Sequence, residues 1–490
     1  MKVSKSKSPI FSTSLKWATI PIFFAVLLRY APGYFYGNKR VLEKPIAYEI
    51  IDDFLSESDV LDLREWVFNE RRFATVIDAA ARGVQSIGED EPIKPDGTCD
   101  DMTFTASPSS PTCKFTGRSD IAQHFVKTGG HRGMKETPDK LISSTLSFIN
   151  YYPDKVNDPA IKKLFENKEY LKKVGNICHD GWGTRGPRKE GDFIFRPTQV
   201  NIVLVPPGQD LPLHQDNQWY WGINQLSQPD WLLHTVQESG LYKDKMIPQA
   251  QGVAYLHGTK EKPYYENGGE YVFFPYGPGA DAMELKPKRG QAILMDGGRM
   301  IHGVARTAPG YQVAAIDKDV FNRIEYQGNE TWYLLSDDEL IDVFKTSDLR
   351  MTFVWRGLCF HDEAEKAKFE QHLKDEDYVP QYTLLKQLEE HMHETGRLPK
   401  SKNLENMPRK EFAQYLFSKY LQYPLDTMNT AWFPINYCAA SLGKPWLKAL
   451  LSPFCVDRKE RIDLSDQYPP AKEFCAEGRG ERYQTNCNKM

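Results

Sequence analysis

The chain has 490 residues, 40% hydrophobic and 26% charged, a balance that fits a folded body and excludes disorder over most of the length. With 62 basic and 66 acidic residues the formal net charge is -4, so no basic excess marks a nucleic-acid backbone as a partner. The length allows one large domain with insertions, or two to three ordinary ones.

Lys2, Lys5, Lys7 and Lys16 precede an apolar run from Trp17 to Leu28, and no acid occurs before Glu43. A basic start followed by a short apolar segment reads as a secretory signal or a signal anchor. The run is shorter than the roughly 20 residues that span a bilayer. Tyr30 to Tyr36 would lengthen it, but Arg29 and Pro32-Gly33 interrupt it. Residues 1–37 are read as a cytoplasmic tail and an uncleaved type II signal anchor, with the body in the lumen of the endoplasmic reticulum or Golgi. A cleaved signal with secretion, or a buried amphipathic helix of a soluble protein, are the alternatives.

A structured block begins near Ala47. Tyr48 to Ile51 has strand character, and Ser56-x-x-Asp59 can cap a helix whose apolar face holds Val60, Leu61, Leu63, Val67 and Phe68. Residues 83–113, rich in Gly, Pro, Ser, Thr and Asp, read as a long loop, and 137–175 as a mixed, mainly helical stretch. Phe193 to Phe195, Gln199 to Val205, Gly252 to Leu256, Glu270 to Phe274, Gln291 to Met295 and Met351 to Val354 are short runs rich in β-branched and aromatic residues. Gly- and Pro-containing turns separate most of them, which suggests an antiparallel sandwich or jelly roll. Residues 361–425 return to charged, helix-periodic sequence. Cys99 and Cys113 flank the loop, and Cys438, Cys455, Cys475 and Cys487 crowd the tail. Eight cysteines with no C-x-x-C pair suit disulfides of an oxidising compartment better than a zinc ribbon. Asn329-Glu330-Thr331 is an N-glycosylation sequon, usable only in the secretory pathway.

The chemistry centres on Leu213-His214-Gln215-Asp216. His and Asp two apart on an extended segment point to the same side and can share one metal. His302, in Met300-Ile301-His302-Gly303-Val304, is the candidate third ligand. Two imidazoles and one carboxylate on one face of Fe(II) leave positions open for a co-substrate and O₂. Roughly 1.5 His-x-acid patterns are expected by chance in this composition. Two occur, and His361-x-Glu363 is read as a solvated surface pair at a helix edge.

Context sets His214 apart. Pro207-Gly208 lies six residues before it, Gly268-Gly269 precedes Glu270-Tyr271-Val272-Phe273, and Pro287-x-x-Gly290 leads through Ala292-Ile293-Leu294 to His302-Gly303-Val304. With Ile51-Asp52-Asp53-Phe54-Leu55-Ser56 in front, this order resembles the Fe(II)/2-oxoglutarate-dependent dioxygenases, in particular their prolyl-hydroxylase-like branch, over residues 47–360. The resemblance implies an α+β fold: a double-stranded β-helix (jelly roll) core with N-terminal helices. Insertions fall at 83–113 and 307–348, and a mainly helical, Cys-containing extension covers 361–490.

It also implies Fe(II) and 2-oxoglutarate as cofactors, with ascorbate as a further candidate, and His214, Asp216 and His302 as iron ligands. The family places a basic residue on the strand after the distal His, usually some ten residues on, but Tyr311, Gln312 and Val313 stand there. Arg350-Met351-Thr352 resembles that strand instead, beyond an excursion in which Ser336 to Phe344 looks helical. Arg350 is therefore the expected clamp for the distal carboxylate, with Thr352 on the same group and Arg306 and Arg356 in reserve. Gln199, Asn201, Trp219 and Trp221 are candidate substrate or cofactor contacts, a polar edge or ordinary core being the alternatives. An intact carboxylate at Asp216 argues for hydroxylation over halogenation. The expected reaction couples 2-oxoglutarate and O₂ to hydroxylation of a peptidyl proline or lysine, or of another secretory-pathway substrate. A cupin-type jelly-roll enzyme without 2-oxoglutarate and a non-catalytic membrane-anchored binding protein are the rivals.

Overall fold

The structure, a computed structural model, describes residues 42–75, 148–152, 154–183 and 193–402, except 210, 226, 229, 267, 278–281, 306, 309–310 and 312–320. It adds residues 404 and 407 and the strand pieces 91–92, 103–105, 112–115, 428–430 and 455–457. The anchor expected over 1–37 lies outside the described residues. Among those described, no helix is long and apolar enough to cross a membrane.

Strand β1 (Tyr48–Ile51) leads into helix α1 (Glu57–Glu70). Ser56 accepts from the Asp59 backbone N–H, and the Asp59 carboxylate accepts from the Ser56 N–H at 3.0 Å, a reciprocal cap that the sequence predicts. Val60, Leu63 and Val67 face inward. Leu61 does not: it lies roughly 100° around the helix from Val60 and is exposed. Next come β2 (Arg72–Thr75), β3 (Phe148–Tyr152), α2 (Pro159–Phe165) and α3 (Lys168–Trp182). The strands after these are β4 (Ile194–Val205), β5 (Leu211–His214) and β6 (Trp219–Tyr220), then helix α4 (Asp230–Ser239). After it come β7 (Met246–Ile247), β8 (Gln249–Tyr255), β9 (Tyr271–Phe273), β10 (Met283–Leu285), β11 (Ala292–Met295) and β12 (His302–Val304). The last are β13 (Asn322–Gly328), β14 (Thr331–Ser336), β15 (Glu339–Lys345), β16 (Arg350–Phe360), α5 (Glu363–Lys374) and α6 (Gln381–Glu394).

The strands form a ten-stranded sheet, β1-β11-β8-β16-β4-β3-β2-β13-β14-β15, and a four-stranded sheet, β10-β9-β12-β5. Alternation along each strand of the large sheet decides what each face meets. Val200, Ile202 and Leu204 of β4, Met351, Phe353 and Trp355 of β16, and Ala250 and Ala254 of β8 point outward. There they join Val60, Val67, Leu164, Val174 and Ile177 of the helices in one cluster. Val203, Val205, Val253, Tyr255, Ile293, Met295 and Val354 point the other way and pack on Tyr271 and Phe273 of the small sheet. The large sheet is thus buried on both faces, which explains why its strands read as nearly continuous apolar runs. Gly252 is fixed by this packing, because a Cβ there would lie 2.0 Å from Cζ2 of Trp355. The Trp355 indole donates to the Tyr170 hydroxyl at 2.7 Å and stacks on Phe54.

The 137–175 stretch is mixed and mainly helical over its described residues, with β3 before its helices, since Phe148-Ile-Asn-Tyr-Tyr152 favours the pleated sheet it joins. Two expectations are corrected. The 83–113 loop contains a three-stranded antiparallel sheet built from 91–92, 103–105 and 112–115. Ser336 to Phe344 is not helical: Asp337 sits at φ 51 in a tight turn, and β13, β14 and β15 form a meander that lengthens the large sheet. Its other turn, Asn329-Glu330, carries the sequon on exposed residues with φ 49 and 58. A disulfide joins Cys178 of α3 to Cys359 of β16, a pair that the sequence alone does not single out. The side chains of the six other cysteines lie outside the described residues.

Candidate metal centre

His214 is the last residue of β5 and His302 the first of β12, and these two antiparallel strands pair His302 directly with His214. Their ring centroids are 4.4 Å apart. Asp216 lies just past the end of β5, where its backbone N–H donates to Gly297 O at 2.8 Å. That contact needs a glycine, since a Cβ on Gly297 would stand 2.4 Å from Asp216 Oδ2. One donor atom from each of His214, Asp216 and His302 lies within 4.8 Å of the others, and this is the only such group of three among the described residues. His214 Nε2 is 3.9 Å from Asp216 Oδ1, and His302 Nε2 is 3.5 Å from Asp216 Oδ2.

The residues fit a divalent metal. His302 Nδ1 faces Met300 O at 2.8 Å, so that nitrogen carries the proton and Nε2 offers its lone pair to the centre. Burial depresses the His302 pKa against the pull of Asp216, which keeps the ring neutral, as a ligand must be. Asp216 Oδ2 is buried with no hydrogen-bond partner, an unsatisfied acceptor that a cation would occupy. Burial works against the charged carboxyl, but Arg356, His302 and His214 outweigh it and hold Asp216 well below the usual carboxylate range. Arg356 donates Nη2 to Asp216 Oδ1 and Nε to Gln251 Oε1 at 3.0 Å. One carboxylate oxygen is thus held by the guanidinium and the other is left for the metal. The His214 side chain keeps 12% exposure against 3% for His302, so the centre opens on the His214 side.

The inner face of the large sheet runs from this centre to a second polar group. Along β8, β16 and β4, Gln251, Arg356 and Gln199 stand side by side at the metal, and Val253, Val354 and Asn201 form the next rank. Tyr255, Thr352 and Val203 come after them, then Arg350 beside Val205. Arg350 is 1% exposed, and among the described residues no carboxylate forms a salt bridge with it, Glu270 acting on it only through its field. Its Nε donates to Gly269 O at 2.7 Å, its guanidinium lies 5.3 Å over the Tyr255 ring, and its Nη2 has no partner. Burial pulls its pKa down. Tyr271 stacks on His302 with centroids 5.7 Å apart and lies within electrostatic reach of both Asp216 and Arg350, bridging the two groups.

Not every predicted contact is free to bind. The Thr352 hydroxyl donates to Val203 O at 3.2 Å, which spends the proton that the sequence suggests for a carboxylate. Gln199 accepts from Gln225, and Asn201 Oδ1 is buried without a partner on the inner face. The rings of Trp219 and Trp221 both meet Phe369 of α5 edge-on. Arg306 lies outside the described residues. Gln251 and Asp296 are functional neighbours that the sequence did not reveal. Asp296 accepts from Gln218, Gln249 and the Gly298 N–H, and burial raises its carboxyl to about 6. Only the polar residues recurring every second position in β8 could have pointed to Gln249 and Gln251.

No family model matches the chain, and no curated protein does. Among solved structures it is similar to HygX from Streptomyces hygroscopicus with nickel, 2-oxoglutarate and hygromycin B bound, at 10% identity over 64% of this chain and 83% of that one, TM-score 0.26. It is similar also to a Pseudomonas putida prolyl-4-hydroxylase, at 12% identity over 64% and 91%, TM-score 0.25. A third is an oxidoreductase of the 2OG-Fe(II) oxygenase family from Burkholderia pseudomallei, at 14% identity over 50% and 90%, TM-score 0.22. At that level of identity and overlap the likeness decides nothing about this chain, whose chemistry rests on its own residues.

Proposed function

We propose that this chain is an Fe(II)/2-oxoglutarate-dependent dioxygenase. The observation that carries the reading is the pairing of a His214/Asp216/His302 centre with a buried guanidinium, Arg350, that has no salt-bridge partner among the described residues. An unpaired ion inside a protein costs several kcal/mol, so Arg350 is best explained by an anionic ligand that arrives with the metal. A cupin-type enzyme without 2-oxoglutarate has no use for it. The strand order supports the same reading. Strands β4, β8, β11 and β16 lie in the large sheet and β5, β9, β10 and β12 in the small one, an alternation between two sheets that supports a double-stranded β-helix core.

In this reading His214, Asp216 and His302 hold the iron, which supplies oxidising chemistry coupled to decarboxylation of 2-oxoglutarate to succinate and CO₂. Arg350 clamps the distal carboxylate, and the apolar surroundings of Tyr255 and Tyr271 exclude water from it. Arg356 orients Asp216 and keeps it anionic. The substrate enters from the His214 side, past Gln199 and Asn201. Its class is proposed as a peptidyl proline or lysine, or another secretory-pathway substrate, acted on by a lumenal enzyme. The buried Cys178–Cys359 disulfide and the exposed Asn329 sequon support that location.

The test is succinate formation from 2-oxoglutarate by the full chain in air, with added Fe(II) and no substrate. Slow turnover that requires iron and disappears in His302→Ala supports the reading. Iron-loaded, folded protein that makes no succinate contradicts it.

A further inference from the structure

At the Arg350 end of the inner face, the two sheets enclose donors with no acceptor. The β8–β16 ladder continues one step beyond Tyr255 and Thr352, because Leu256 N–H donates to Met351 O at 3.0 Å. The next rank therefore sets His257 beside Arg350 on the neighbouring strand and on the same face. His257 is 2% exposed. Its ring lies between Tyr255 and Tyr265, with centroids 5.6 and 5.2 Å away. Neither imidazole nitrogen has a partner in hydrogen-bond geometry, nor does Arg350 Nη2. The carbonyls of Pro287 and Met351 lie close enough to the ring to raise its pKa, but neither stands in hydrogen-bond geometry to it.

Of the other polar side chains in the cluster two are committed, whereas the Tyr255 hydroxyl is also buried without a hydrogen-bond partner. Thr352 donates to Val203 O, and Tyr265 donates to Asp348 O at 2.7 Å. Burial first, and Arg350 second, hold the His257 pKa down at about 3, so the ring is neutral and carries one N–H. A neutral donor next to a cation with no carboxylate in contact leaves the group short of an acceptor, and a single carboxylate, with about four lone-pair sites, satisfies it.

We propose that His257 is a specificity-determining residue of the co-substrate site, its ring N–H and the Arg350 guanidinium together holding the terminal carboxylate of the 2-oxo acid. This rests on the 2-oxoglutarate reading and extends it to a residue that the sequence motifs do not mark. His257 rewards the far carboxylate and has no effect on the 2-oxo acid head, so it selects 2-oxoglutarate over acids of the same length without that group.

The test is calorimetric titration of the full chain loaded with Mn(II), anaerobically, with 2-oxoglutarate and with 2-oxovalerate, in which a methyl replaces the distal carboxylate. The variants are His257→Gln, which keeps a donor, and His257→Met, which has none. His257→Met should lose about 10- to 100-fold in affinity for 2-oxoglutarate, the range for a hydrogen bond to a charged group. It should bind 2-oxovalerate as the parent chain does, and His257→Gln should recover most of the loss. Equal losses for both acids, or no loss for either, would overturn the role of His257 alone. Failure of both variants to fold, judged by circular dichroism, would assign His257 to structure and overturn the proposal likewise. Absence of binding by either acid to the metal-loaded parent chain would instead remove the co-substrate reading.

Discussion

Two buried carboxyls near the metal centre are driven in opposite directions. Asp216 has Arg356 and two imidazoles against it, so it stays charged. Asp296 is equally buried and has only neutral donors in hydrogen-bond contact, so its pKa rises from 3.8 to about 6. The consequence for stability has a definite sign. Between the unfolded value of 3.8 and about 6 the folded state binds more protons than the unfolded one, so stability falls as pH rises through that window. Above pH 6 the full penalty is present, roughly 3 kcal/mol. Asp296→Asn keeps the accepting oxygen and removes the charge. Urea melts at pH 4.5 and 7.5 should show the variant gaining clearly more stability at the higher pH, and a gain equal at both would refute a buried charge at Asp296 as the cause. At Asp216, Arg356→Met should weaken Mn(II) binding about 10- to 100-fold, as loss of a partner to a ligand does, with Arg356→Lys restoring part of it. Unchanged affinity, read by electron paramagnetic resonance of free Mn(II), would show that Arg356 only balances charge.

The elements explain which parts of the site are legible in the sequence. The His-x-Asp pair is legible because strand alternation puts both side chains on one face, and His302 because a Gly- and Pro-marked strand precedes it. Arg350 is legible once the meander is allowed as an excursion, although its sequence looks helical. Ser336 to Phe344 misleads because acidic residues interleaved with Leu and Ile fit either period, and only the turn at Asp337 decides between them. Gln251 is legible only through its alternation with Gln249, and His257, just past the end of β8, has no signal until its neighbours on the next strands are known. Trp219 and Trp221 show aromatic character and not its direction, which α5 sets. The same cross-strand packing makes Gly252→Ala severe. The new methyl would meet the Trp355 ring, and a loss of about 1–3 kcal/mol or more is expected in chemical denaturation. A loss below about 0.5 kcal/mol would mean that the indole moves aside freely.

For the whole molecule, the Cys178–Cys359 bond ties the outer helix α3 to the strand that carries Arg350 and Arg356, across 181 residues of chain. Cys178→Ala with Cys359→Ala should cost about 2–5 kcal/mol and lower the melting temperature while metal affinity stays near that of the parent chain. A fall in metal affinity with no fall in melting temperature would contradict a purely structural bond. Helix α6 closes the far side of the body by packing Leu384, Leu388 and Met392 on Leu232, Leu233 and Val236 of α4. The region after the core is therefore tied to it by an apolar interface, an arrangement that charge and helical period alone do not foretell.

In the proposed function the metal centre and the buried Arg350 share one co-substrate. Anaerobic titration of the full chain with Fe(II), with and without 2-oxoglutarate, tests it most directly through the weak visible metal-to-ligand charge-transfer band. The band should require both additions, vanish in His214→Ala, and need much more 2-oxoglutarate in Arg350→Ala. Folded protein that gives no band, or a band indifferent to Arg350, would contradict it.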